Sequence, residues 1–214
     1  MSEIAQANRG WRSTATRCIA LAVVATAVME FHLWLGSFQL VVVLAGLVAI
    51  LCINDGHEPL LGMRLAPVQG WAYWVRIAVW FALVVLALLV IFLNVWWLLD
   101  LPIALHTTRP EGFLWKLLHM CIYAPVSEEI VFRSLLTVAI LPTVGERGTI
   151  LISGVIFALI HILGGNPGPD NQIAGFMLQW AFLRSGTILV PIAMHSAGNL
   201  IAVANQIAAW YLLQ

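Results

Sequence analysis

The stretch Ala124-Pro125-Val126-Ser127-Glu128-Glu129-Ile130-Val131-Phe132-Arg133 sets two acids and an arginine inside an apolar run that begins near Gly112 and continues to about Ile140. A run of that length is a transmembrane-helix candidate, because a bilayer core takes roughly 20 apolar residues of helix. Charges inside such a run are costly in hydrocarbon, so each one marks a functional-site hypothesis by default. Successive residues on a helix point about 100° apart. Glu129 and Arg133, at i and i+4, therefore share a face and can pair, whereas Glu128 points toward a different partner. Two adjacent carboxylates in a low dielectric resist being charged together. The arrangement suits one paired, structural acid and one acid free to act as a base.

The rest of the chain supplies the same solvent. Of its 214 residues, 62% are hydrophobic and 9% charged, against about half and a quarter in soluble domains. A soluble fold of this size exposes too many of its residues to hide that much apolar surface. Further apolar runs span Cys18–Leu35, Phe38–Ile53, Trp71–Leu99, Thr149–Leu163, Gln172–Leu183 and Thr187 to the end. Turn chemistry separates them at Asn54-Asp55-Gly56, Leu101-Pro102, Leu141-Pro142, Gly164 to Pro169, and Arg184-Ser185-Gly186. The pattern predicts an all-α, polytopic transmembrane bundle of about seven helices, within a range of six to eight. It reads as a single membrane-embedded domain over 1–214, with a basic cytoplasmic segment at 1–17 and the catalytic core helices over 112–205. Trp11, Trp71, Trp74, Trp96, Trp97, Trp115 and Trp210 lie near the ends of runs, as an aromatic belt does.

Orientation follows from the arginines. Arg9, Arg12, Arg17, Arg64, Arg147 and Arg184 fall on one side and place the N-terminus in the cytoplasm, in a membrane expected to be the bacterial inner one. Ala25-Thr26-Ala27 resembles a signal-peptidase site, but the apolar run continues past it to Leu35, so the segment is read as a first transmembrane helix. A formal net charge of zero without a basic stripe excludes a nucleic-acid partner. Cys18, Cys52 and Cys121 show no metal or redox spacing and read as small buried hydrophobes.

Two other runs carry isolated polar groups. One holds Phe157-Ala158-Leu159-Ile160-His161. The other holds His195-Ser196-Ala197-Gly198-Asn199, with His195 and Asn199 on one face at i and i+4. A single intramembrane His is often hydrogen-bonding glue, and a Glu–Arg pair is often structural. Glu, His, His and Asn together can instead activate a water and hold a developing oxyanion. Depth supports their meeting: at about 1.5 Å per residue, Glu128 and His161 stand about 18 Å from the ends of their runs at Ile140 and Thr149, and His195 about 12 Å from Thr187. Those levels agree within about one helical turn and predict one shared polar pocket inside the membrane. Glu30, His32 and Asn94 read as interhelical hydrogen-bonding or rim residues. His57, His106 and His119 read as solvated. Asn166, Asp170 and Asn171 rim the loop after the fifth run.

Glu128-Glu129 with Arg133, then Phe157 with His161, then His195 with Asn199, each on its own hydrophobic helix, resembles the pattern of the CPBP intramembrane proteases, also called the CAAX protease, bacteriocin-processing or Abi family. The resemblance covers Ala124 to about Val203, with Ala-Pro-Val preceding the acids and Ser134 standing where many members have Gly. It implies hydrolysis of a peptide bond in a membrane-associated protein or peptide. Glu128 and His161 are implied as the groups that activate water, His195 and Asn199 as the oxyanion hole, and Glu129, Arg133 and Phe157 as residues that order the site. No cofactor is expected: the chain has no HExxH, and one glutamate with two distant histidines is a sparse set for zinc. Two readings compete. A proton-coupled transporter would spread polar residues along a path. A non-catalytic scaffold or immunity factor would tolerate loss of Glu128 or His161.

Overall fold

The computed structural model describes residues 14–26, 41, 44, 45, 48, 61–100, 107–166 and 168–212. The second apolar run, the end of the first, and Glu30, His32, His57 and His106 lie outside or almost wholly outside these residues. Among the described residues the protein is a helical bundle, and its one piece of extended pairing is an isolated bridge between Met63 and Thr187.

Helix α1 spans Thr14–Thr26. Cys18 and Ala25 on it are buried and join one apolar cluster with Leu61, Ile130, Val131, Phe132, Leu135, Val138, Phe157, Phe182 and Ile188. The N-terminal helix therefore packs against the helix that carries the acids. Cys18 behaves there as the small buried hydrophobe its surroundings in sequence predict.

Helix α2 spans Trp71–Leu98, within a residue of the apolar run read at Trp71–Leu99. Trp74 is its buried residue; its Nε1–H donates to Gln69 Oε1 at 3.0 Å. Asn94 is exposed and donates to Val90 O of its own helix at 2.7 Å, a local bond in place of an interhelical one. In hydrocarbon that local bond is the cheapest way to satisfy an amide.

The acid-bearing rod begins with a 3₁₀ turn at Pro110–Gly112. It continues through α3 (Phe113–Leu118), a π-helical stretch (His119–Tyr123), α4 (Ala124–Glu129), a second π-helical stretch (Ile130–Leu135) and α5 (Leu136–Leu163). Among the described residues, two stretches are long and apolar enough to cross a membrane by length and composition: Trp71–Leu98 and Pro110–Leu163. The sequence places a helix end at Leu141-Pro142, but the helix runs through Pro142 and turns at Gly145, whose φ of 68° and ψ of 178° break it. A positive φ suits glycine, which has no Cβ to clash. Thr143 Oγ1 donates to Ile140 O at 2.7 Å and so satisfies a carbonyl of that last turn. The two limbs fold back as a hairpin, which is why Phe132 and Arg133 meet Ser153 across it. Glu128 and His161 end nearly equidistant from Gly145, deeper from the turn than the Ile140 and Thr149 boundaries imply.

Helix α6 spans Pro169–Ser185 and ends on Gly186 in the left-handed conformation, longer than the Gln172–Leu183 run. Helix α7 spans Leu189–Leu212. It starts after Thr187 because that residue is occupied in the bridge to Met63. The segment 61–70 straps this turn: Ile188 N–H donates to Gly62 O at 2.8 Å, Val68 N–H to Ser185 O at 3.0 Å, and Ser134 Oγ to Leu61 O at 2.7 Å.

Small residues set how closely α5 and α6 approach. A Cβ on Gly154 would sit 2.3 Å from the Phe176 ring, and one on Gly175 would sit 3.0 Å from Gly154 O and from Phe157 Cβ. Close backbone approach at small residues is how membrane helices pack without a hydrophobic drive between them. Here it seats Phe157. Gln179 Nε2 adds a buried bond to Thr137 Oγ1 at 2.8 Å, joining α6 to the first limb of α5.

Candidate active site

The site grows from one local pair. Glu129 Oε2 lies 2.8 Å from Arg133 Nε, with both side chains fully buried. The two residues straddle the start of the second π stretch, and such widened turns recur at functional sites because they re-aim side chains. Arg133 is held from several directions. Its Nη1 donates to Ser153 Oγ at 3.2 Å, and its Cζ lies 4.8 Å from the centre of the Phe157 ring, within cation–π range. Ser153 Oγ also donates to Phe132 O at 3.3 Å. Sequence reading missed Ser153; its one visible signal is its place four residues before Phe157, one turn along the same helix.

Phe157 organises the next layer. Its ring stacks on His161 with centroids 4.2 Å apart and packs edge-on against Phe132 at 5.2 Å. His161 Nδ1 lies 2.9 Å from Phe157 O. A carbonyl only accepts, so Nδ1 carries the proton and Nε2 presents its lone pair to the site. His195 is fixed the same way from another helix: its Nδ1–H donates to Glu129 Oε1 at 2.8 Å.

Both Nε2 atoms face Glu128. Glu128 Oε2 lies 3.8 Å from His161 Nε2 and 3.9 Å from His195 Nε2. Those spacings are too long for direct hydrogen bonds and short enough for one water to bridge. Oε2 itself is buried and has no hydrogen-bond partner among the described residues. The two adjacent acids thus have opposite situations. Glu129 is enclosed by Arg133 and His195, while Glu128 keeps an uncommitted oxygen beside two imidazoles.

The structure brings Glu128, Glu129, Arg133, Phe157, His161 and His195 into one cluster. Asn199 lies one turn beyond His195 on α7, and its Nδ2 donates to Met120 O at 2.6 Å. His119 is exposed and lies tilted against Trp115, with centroids 6.3 Å apart. The contacts Thr108–Gln206, Met120–Asn199 and Glu129–His195 run in opposite directions along the two chains, so α7 lies antiparallel to the acid-bearing rod. Among the described residues no group of three His, Cys, Asp or Glu side chains is arranged to hold a metal ion.

Residues 110–201 match the family model described as Rce1-like, type II CAAX prenyl endopeptidase. The family resemblance read from the three motifs holds over that stretch. It begins at the 3₁₀ turn before α3 and ends within α7, and so contains every residue of the cluster. No curated protein and no solved structure matches the chain. Over that stretch, 92 of the 214 residues, the chain is similar to CAAX-type prenyl endopeptidases. The exposed apolar surface of α2 fits a membrane setting. Leu83, Leu86, Val90, Ile91 and Trp97 are each at least half exposed, and lipid is the solvent that makes this favourable.

Proposed function

We propose that the protein is a glutamate-dependent intramembrane endopeptidase that hydrolyses a peptide bond of a membrane-associated protein or peptide. The observation that carries this reading is the uncommitted Glu128 Oε2, 3.8 and 3.9 Å from two imidazole Nε2 atoms. Glu128 takes a proton from a water held between it and His161. The water oxygen attacks the scissile carbonyl carbon and the carbonyl oxygen becomes an oxyanion. His195, in its protonated form, donates to that oxyanion from Nε2 while Glu129 holds Nδ1. Asn199 has two amide hydrogens. One is given to Met120 O and the second serves the oxyanion. Glu128 then returns its proton to the leaving nitrogen as the C–N bond breaks.

In this reading Glu129, Arg133 and Phe157 hold the site's geometry. Protein groups alone activate the water, without zinc. The protein sits with its basic N-terminal segment in the cytoplasm of a bacterial inner membrane, as a single membrane-embedded domain whose core is 112–205. The clustering of the polar groups, as opposed to their spread along a path, favours this over proton-coupled transport. The completeness of the cluster favours it over a non-catalytic scaffold.

The test compares membrane proteomes from cells carrying wild-type protein and Glu128→Gln. The substitution keeps size and removes the basic oxygen, so fragments made by the wild type should be lost, with cleavage reduced at least ~100-fold. Retained cleavage by the Gln variant sinks the glutamate mechanism. Activity of the wild type should also survive a strong zinc chelator; inhibition reversed by added zinc would make the enzyme a metalloprotease.

A further inference from the structure

The helix carrying Glu128 has an irregularity that its apolar sequence conceals. Ala124 N–H bonds to His119 O, an i to i+5 bond, so this turn is in π register. The next rung in that register would run from residue 125 to Met120 O. Residue 125 is proline and has no N–H. Ala124 N–H, the α-register donor for the same carbonyl, is already spent on His119. Met120 O is therefore left without a donor from its own helix, and a partly buried carbonyl without a partner is costly. Asn199 supplies the donor from α7, through Nδ2 at 2.6 Å.

From this we infer that Pro125 is a positioning residue, acting through the Met120 carbonyl to aim the amide of Asn199. An amide that gives one N–H to a fixed carbonyl has its plane set, and with it the direction of the second N–H. The pair at Met120 and Asn199 lies on the same two antiparallel elements as the Glu129–His195 pair. The bond that the missing backbone hydrogen leaves to Asn199 thus adds a level of contact between α7 and the acid-bearing helix beside the Glu129–His195 pair. The assignment rests on the proposed protease reading for its catalytic consequence. The hydrogen bond itself does not, and can be tested without a substrate.

The experiment is a double-mutant cycle on the full-length protein with Pro125→Ala, Asn199→Ala and both. The first readout is the unfolding temperature in detergent. Asn199→Ala alone should lower it by several degrees, because Met120 O then has no donor. In the Pro125→Ala background the same change should have little effect, since residue 125 now brings its own N–H to that turn. Equal drops in both backgrounds overturn the hydrogen-bond assignment. The second readout is turnover of a reporter built on a protein cleaved in wild-type but not in Glu128→Gln membranes. Pro125→Ala should lower kcat about tenfold with KM little changed and heat stability kept or raised. The double variant should be no slower than Asn199→Ala. Pro125→Ala with wild-type kcat, multiplicative losses in the double variant, or recovery of Asn199→Ala by Pro125→Ala each overturn positioning. Cleavage retained by Glu128→Gln defeats the protease mechanism, whereas an inactive Glu128→Gln beside an additive cycle defeats only this inference.

Discussion

Helix α2 and the rod from Phe113 to Leu135 are both apolar stretches of membrane-spanning character, and they are put together in opposite ways. Along α2 the helix is regular and Trp74 alone is buried. Along the rod two π stretches interrupt the helix, and the second has all six of its residues, Ile130 to Leu135, buried. Most α2 side chains are exposed and need only be apolar, apart from the patch around Trp74 and Ile77 that packs on α6 and α7. In the rod they meet other helices, so shape, hydrogen bonding and charge all matter. Apolarity therefore identifies membrane helices, and departures from it identify which of those helices carries chemistry.

That contrast can be pressed experimentally, beginning with the site. Arg133→Ala leaves Glu129 buried beside His195 without its guanidinium and should cost about 3–5 kcal/mol. Heat denaturation in detergent should show the loss together with loss of cleavage. A variant of wild-type stability but no activity would place Arg133 in the chemistry itself. Gly175→Val comes next. Its side chain meets Gly154 and Phe157 at close range, and overpacking of this kind costs about 1–3 kcal/mol. Cleavage should fall as well, because Phe157 carries the ring on which His161 stacks. Unchanged activity would show that the seat of Phe157 is not critical.

Ser153→Ala removes one donor to Phe132 O and one acceptor for Arg133 Nη1. A loss of about 1 kcal/mol is expected from such a bond, again read in the unfolding temperature. A loss as large as that of Arg133→Ala would make Ser153 part of the charge cluster in its own right. On α2, Leu86→Ala should change stability by no more than about 0.5 kcal/mol, as substitutions away from packed features do. A loss there matching the rod variants would mean that Leu86 sits in a packed contact and not on a free apolar face.

Much of the bundle was legible in the sequence because bilayer thickness imposes a length and a polarity on each span. The Glu129–Arg133 pair was legible because i and i+4 on a helix are neighbours whatever surrounds them. The helix end placed at Pro142 shows the limit of local signals. Proline removes one donor, but near a helix end that loss is tolerated, and the chain turns where Gly145 allows a positive φ. Asn94 shows the same limit, since a side-chain amide can bond its own helix as easily as another.

The sequence by itself determined that the chain is helical, that it belongs in lipid, and that one acid pairs with Arg133, because each follows from composition or from the geometry of a single helix. It also named the residues of the three motifs. Only the tertiary structure decided which acid meets which histidine. Glu129 takes His195, Glu128 faces both Nε2 atoms, and Asn199 is drawn to the Met120 carbonyl. Those contacts depend on the rotation and offset of separate helices. Packing at Gly154 and Gly175, the turn at Gly145 and the two π stretches set these quantities, and no single-helix periodicity encodes them.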